Sequence, residues 1–166
     1  DWSTSDLLAV DMESLGFSTG FIGFAWALAS LSEIGVMLFS STILYRFNLK
    51  SILIVSFLAA SLRWLLLFLF EDAFLIILSQ LLHALTYGAF HISSILAVDQ
   101  LSGKVSATFG QAVNNAVTYG AGMMAGFMLS GLFYDEIKGY IFIAASLCST
   151  VGLALIALTN FDNNKS

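Results

Sequence analysis

Glu33, Arg63 and His83 each lie inside a separate apolar run long enough to cross a bilayer. A charged group at the centre of a membrane costs at least about 2.5–3.5 kcal/mol on insertion scales, so such groups normally face a protein interior or a watery path. A carboxylate, a guanidinium and an imidazole on three consecutive runs can pair with one another, bind a polar solute, or pass a proton. Those chemistries belong to a route through a helix bundle.

The bundle follows from composition. Of 166 residues 58% are hydrophobic and 10% charged, with a mean hydropathy of +0.90. Soluble domains carry about a quarter charged residues, so this is the composition of a chain embedded in lipid. About 20 apolar residues cross roughly 30 Å of hydrocarbon. The stretches 21–45, 51–70, 73–98, 105–133 and 137–159 meet that length, and no basic leader precedes them to mark a signal peptide. The expected fold is all-α, a polytopic helical membrane protein forming a single transmembrane domain over 1–166.

The spans are joined by short links at 46–50, 71–72, 99–104 and 134–136, as expected of antiparallel neighbours. Proline is absent, so bends must come from Gly, Ser or packing. Alternate connections hold Arg46, Lys50, Lys104 and Lys165 on one side and only Lys138 on the other. By the positive-inside rule the first group, and with it the C-terminus, is cytoplasmic. The chain opens without Met on an acidic segment, Asp1, Asp6, Asp11 and Glu13, with Leu7–Phe17 reading as the tail of a span. The expectation is a piece of a larger membrane protein, with a true C-terminus after Asn160.

At about 1.5 Å per residue, Glu33 lies roughly 20 Å, His83 about 15 Å and Arg63 about 10 Å from the outer ends of their helices. All three depths fall in the middle of the bilayer. Trp26, Ser30, Glu33, Met37 and Ser40 recur on one helical face, as do Gln80, His83, Tyr87, His91 and Ser94, and again Thr108, Gln111, Asn115, Thr118 and Gly122 beside Asn114. The last span offers only Ser146, Ser149 and Thr150 and reads as a peripheral support.

Plainer roles stand beside these. Arg63 is shallow enough to snorkel to the outer interface, and His83 and His91 can each satisfy an interhelical bond. Trp26, Trp64 and Tyr87 are common packing residues, Tyr87 being the best candidate among them for a pathway role. Gly122, Gly126 and Ser130 form a small-residue ridge that admits a close helix neighbour. His83 and His91 stand about 12 Å apart along a helix and cannot share a metal, and no other ligand cluster is present. Six scattered basic residues make no nucleic-acid patch, and lone Cys148 allows no internal disulfide. No phosphate loop or nucleophile motif suggests an enzyme, and no cofactor is implied.

Several segments, in order and spacing, resemble the C-terminal half of a major facilitator superfamily transporter. They are similar to the phenylpropionate-transporter-like group, related to the lactose permease family of proton symporters. The segments are Glu13-Ser14-Leu15-Gly16-Phe17-Ser18, Ile22-Gly23, Trp26-Ala27-Leu28, Ser32-Glu33-Ile34, Leu44-Tyr45-Arg46-Phe47, Leu62-Arg63-Trp64 and Gln80-Leu81-Leu82-His83-Ala84-Leu85-Thr86. The resemblance implies a six-helix bundle with its first helix truncated to residues 1–17, and the five spans as helices eight to twelve. It implies that Glu33 acts in substrate recognition and proton coupling with Arg63 and His83, and that Arg46, beside Lys50, belongs to a cytoplasmic gating loop.

One departure stands out. The lactose permease series Lys-x-x-His-x-x-Glu reads Gln80-x-x-His83-x-x-Thr86 here, without the proton-releasing carboxylate. Glu33 is then the carboxylate left for coupling, its protonation switching the contact with Arg63. The expected partners are an N-terminal six-helix half of the same polypeptide, protons, lipid and a small organic solute (aromatic acid, sugar or nucleoside). The expected place is the plasma or inner membrane. An uncoupled facilitator or exchanger on the same fold and a non-transporting membrane protein are the competing readings.

Overall fold

Polar side chains set where each helix begins. A computed structural model describes residues 2–70, 72–128, 131 and 140–159, with 2–7 and 103–105 described by backbone alone. Helix α1 runs Trp2–Ser14 and stops in a Schellman motif, in which Gly16 N–H donates to the Glu13 carbonyl and Phe17 N–H to that of Met12. Gly16 takes φ 82°, a left-handed conformation that a side chain disfavours. Ser18 Oγ then accepts from Phe21 N–H at 3.2 Å and starts α2, Thr19–Leu38. Asn48 caps α4, Leu49–Leu69, and Asp72 caps α5, Ala73–His83, in the same manner.

Where one span over 21–45 was expected, two helices stand. Phe39, at φ −95° and ψ 9°, separates α2 from α3, Ser40–Arg46. With no proline in the chain, this one non-helical residue makes the break between them. Ser40 therefore belongs to a different helix from Glu33, and the stripe that began at Trp26 ends with α2.

Beyond α5 the chain widens into a π-helical stretch, Ala84–Ala89, and narrows again into α6, Phe90–Asn115. A second π-helical stretch, Ala116–Gly122, follows, with helical residues 123–128 after it. The link expected at 99–104 is written in helical turns, yet the chain reverses there. Gln111 Nε2 donates to the Ile95 carbonyl at 2.7 Å, and Tyr119 Oη lies 3.2 Å from His91 Nδ1. A straight helix would hold those pairs roughly 24 and 42 Å apart. Gly110 passes so close to Ser102 that a Cβ would collide with the serine side chain. The two arms form a helical hairpin.

The last described helix, α7, is Tyr140–Leu158. It packs antiparallel on α4 along most of its length, so it is a main partner of α4 and more than a peripheral support. Its serines explain this: Ser146 Oγ donates to the Ser61 carbonyl at 3.0 Å, while Ser61 Oγ reaches the Ser146 carbonyl and Thr150 Oγ1 at 3.3 and 3.1 Å. Such reciprocal bonds need backbones in close approach, which small residues permit. Gly152 completes the seam, since a side chain there would strike the Phe57 ring.

Helix α4 is the centre of the bundle, touching α5, the first π stretch, α6 and α7, with α2 on the far side of α5. Its faces are sorted inside out. Ser56, Arg63 and Trp64 are buried, while Val55, Leu58, Leu62, Leu65 and Leu69 point outward, as lipid contact requires. At the α1 end, Leu8, Met12, Ala25, Trp64, Leu67, Ile76, Ile141 and Phe142 form an apolar core. Four helices among the described residues, Thr19–Leu38, Leu49–Leu69, Ala73–Ser102 and Tyr140–Leu158, are long and apolar enough to span a membrane. The chain is an all-α, multi-pass membrane protein. The end of the expected span 105–133, the link 134–136, the start of 137–159 and the polar finish after Asn160 lie outside the described residues.

Candidate functional site

Three helices deliver the three ionisable groups to one point. The first π stretch presents Gly88 to α2, where a Cβ would sit 3.5 Å from Val36 and 3.6 Å from the Glu33 carbonyl. Small Ala84, Gly88 and Ala89, all buried, let α2 come this near. Arg63 arrives from the buried face of α4 and is 1% exposed. It does not snorkel to an interface; its charge is held inside the bundle.

His83 is the bridge. Its Nε2 lies 2.7 Å from Glu33 Oε1, and its Nδ1 lies 2.8 Å from Arg63 Nη1. A guanidinium carries donors only. His83 Nδ1 must therefore accept from Arg63, so the ring proton sits on Nε2 and is donated to Glu33. The geometry requires a neutral imidazole between a cation and a carboxylate. Glu33 and His83 keep 21% and 14% of their side chains exposed, so the triad opens to the bundle surface on the Glu33 side. Arg63 also lies 4.4 Å from the centre of the Trp64 ring, which itself stacks on Phe142. The Arg63 Nε–H is buried with no partner among the described residues.

Aromatic rings extend the site along the same helix. His83, Tyr87 and His91 stack in series, with centroids 5.7 and 5.8 Å apart and planes within 14° and 8° of parallel. Four residues of α-helix over-rotate a full turn by about 40°; the wider π turn at Ala84–Ala89 reduces that drift and keeps the rings in line. Tyr119, from the returning arm, hydrogen-bonds both His91 and Tyr87. Thr86 Oγ1 donates to the His83 carbonyl at 3.1 Å and lies 3.5 Å from its Nδ1.

The other sequence candidates lie elsewhere. Gln80 is buried but donates to Ser79 Oγ at 3.3 Å. Trp26 is half-buried on α2, and Asn115 is exposed where α6 passes into the second π stretch. Neither is bonded to the triad among the described residues. Arg46 is exposed at the end of α3. Lys50 Nζ donates to the Ala157 carbonyl at 2.8 Å, satisfying the C-terminal end of α7. Around Gly122 of the small-residue ridge, the nearest atom to an added Cβ is the Val117 carbonyl of its own stretch, and Ser130 lies outside the described residues.

Tyr119 carries the residue-level surprise. It falls four residues beyond Asn115 and eight beyond Gln111, on the same helical row. That spacing was a usable signal, which the choice of Thr118 for the stripe obscured.

No curated protein and no solved structure matches the chain. A family model described as MFS_1 like does match, over residues 7–144, a range that takes in the whole triad and its aromatic extension. The chain thus belongs to the MFS_1 like family, within the major facilitator relationship.

Proposed function

We propose that this chain is the C-terminal half of a secondary active transporter that moves a small organic solute by alternating access, in symport with protons. Family membership supports transport in general. The observation that carries the finer reading is the His83 bridge between Glu33 and Arg63. A neutral relay between opposite charges, partly open on the carboxylate side, is suited to taking up a proton. Protonation of Glu33 removes the negative end and leaves the Arg63 charge uncompensated, so that it attracts a solute oxygen to the open, Glu33 side of the triad.

The solute is then one with acceptor groups, a carboxylate or hydroxyls, drawn by the Arg63 charge. The mechanism rocks two six-helix halves about a midplane site, so the working protein includes an N-terminal half facing Glu33. The similarity to phenylpropionate-transporter-like and lactose permease-like symporters, the plasma or inner membrane and a cytoplasmic C-terminus belong to the same proposal.

The test is solute uptake into proteoliposomes carrying the intact protein, with and without an imposed pH gradient. Glu33→Gln keeps an acceptor for His83 but cannot titrate. Its expected behaviour is loss of gradient-driven accumulation with retained exchange. Accumulation undiminished in that variant refutes the coupling role, and a wild-type protein indifferent to the gradient indicates a facilitator.

A further inference from the structure

The triad leaves two polar groups further along the same face without a role. His91 lies two ladder steps from His83, and Tyr119 ties it to Tyr87. A tyrosine hydroxyl has one proton to donate and lone pairs to accept with. With His91 Nδ1 unprotonated, Tyr119 donates to it and accepts from Tyr87. With a proton on Nδ1 the order inverts: His91 donates to Tyr119, and Tyr119 donates to Tyr87. In both states Tyr119 stays bonded to His91 and to Tyr87, so a proton on Nδ1 reverses the direction of these bonds without breaking them.

We infer that His91 is a second proton-binding group of the transport cycle, with Tyr119 and Tyr87 reorienting their hydroxyls to accommodate each state. The proposal rests on the proton-coupled reading above and deepens it. In the step, the Nδ1 lone pair forms an N–H bond with a proton delivered by water, both tyrosine O–H bonds persist, and nothing is oxidised or reduced. Among the described residues, the groups facing His91 are Tyr87 and, one step beyond, His83 on its own helix, and Tyr119 on the returning arm; Glu33 of α2 and Arg63 of α4 meet the ladder at His83. Thr86 takes no part, because its hydroxyl is committed to the His83 carbonyl.

Location adds to the case. Tyr87 and Tyr119 each sit in a π-helical stretch, the two stretches being on opposite arms of the hairpin. Such widened turns are uncommon and recur at functional sites. Here they bring a ring from each arm to one hydrogen-bond cluster.

The experiment compares His91→Gln and Tyr119→Phe with wild type in the intact transporter in proteoliposomes. It reads solute exchange at equal pH, gradient-driven accumulation, and proton entry with a trapped pH dye. Exchange is expected to stay within about twofold of wild type. Accumulation and solute-linked proton entry should fall about tenfold or more. Exchange and accumulation falling in parallel mark a merely structural cluster and overturn the inference. Accumulation at wild-type level in both variants overturns it too, while Glu33→Gln in the same assay shows whether the coupled reading survives. A wild-type protein that ignores the gradient removes both.

Discussion

Replacing Glu33 by Gln, Arg63 by Gln, and then both, isolates the charge coupling that His83 transmits. The two contacts of 2.8 and 2.7 Å are separated by the imidazole ring. Guanidinium and carboxylate are then roughly 7 Å apart, and unit charges at that distance attract by about 2 kcal/mol at an effective dielectric of about 20. Glu33→Gln retains an acceptor for His83 Nε2–H, so the single change removes charge more than it removes a bond. It leaves Arg63, 1% exposed, without its nearest opposite charge. Breaking a buried pair from one side costs about 3–5 kcal/mol, whereas removing both partners is often close to neutral. Here the imidazole separates the charges and Glu33 is partly open, so the expected pattern is milder: two destabilised single variants and a double variant about 2 kcal/mol more stable than the sum of the two. Unfolding of the intact protein in mixed micelles with increasing SDS, read by tryptophan fluorescence, gives the four free energies. A coupling of about 2 kcal/mol is expected from the cycle. A value below about 0.5 kcal/mol would show that Glu33 and Arg63 do not sense each other through His83.

Other expectations test the scaffold. Ser61→Ala should lose its side-chain contacts to α7 and cost about 0.6–1.5 kcal/mol in the same unfolding assay; Ser146→Ala should cost less than additively in its presence, and strict additivity would deny the reciprocal clamp. Gly152→Leu should destabilise by about 1–3 kcal/mol by driving the Phe57 ring aside, and an unchanged midpoint would place α4 and α7 further apart than described. Gly16→Val forces a branched side chain into φ 82° and should cost at least about 1–2 kcal/mol; a neutral outcome would contradict the Schellman ending of α1. In a Cys148→Ser background, Ile95→Cys combined with Gln111→Cys should cross-link with a short bis-thiol reagent. A straight helix, holding them about 24 Å apart, would give no cross-link.

Much of this protein is local physics and is legible in the chain. Long apolar runs dictate membrane helices, because no backbone polar group can go unpaired in lipid. Ser18, Asn48 and Asp72 mark helix starts by side-chain chemistry alone, and Gly16 marks an end. Depth counted along each helix was enough to bring Glu33, Arg63 and His83 into the same layer. What counting could not supply was rotation and spacing between helices, which packing decides. The close approach of α2 to Gly88 and the burial of Arg63 on α4 make His83 the middle member, and the donor-only guanidinium then fixes which nitrogen bears the proton. The break at Phe39 and the π-helical stretches carry no proline or repeat that would announce them, so periodicity read straight through both. The pairing of His91 with Tyr119 joins residues 28 apart. The reversal at the link expected over 99–104 was legible, but the rotation of the two arms that brings these rings together is decided by packing.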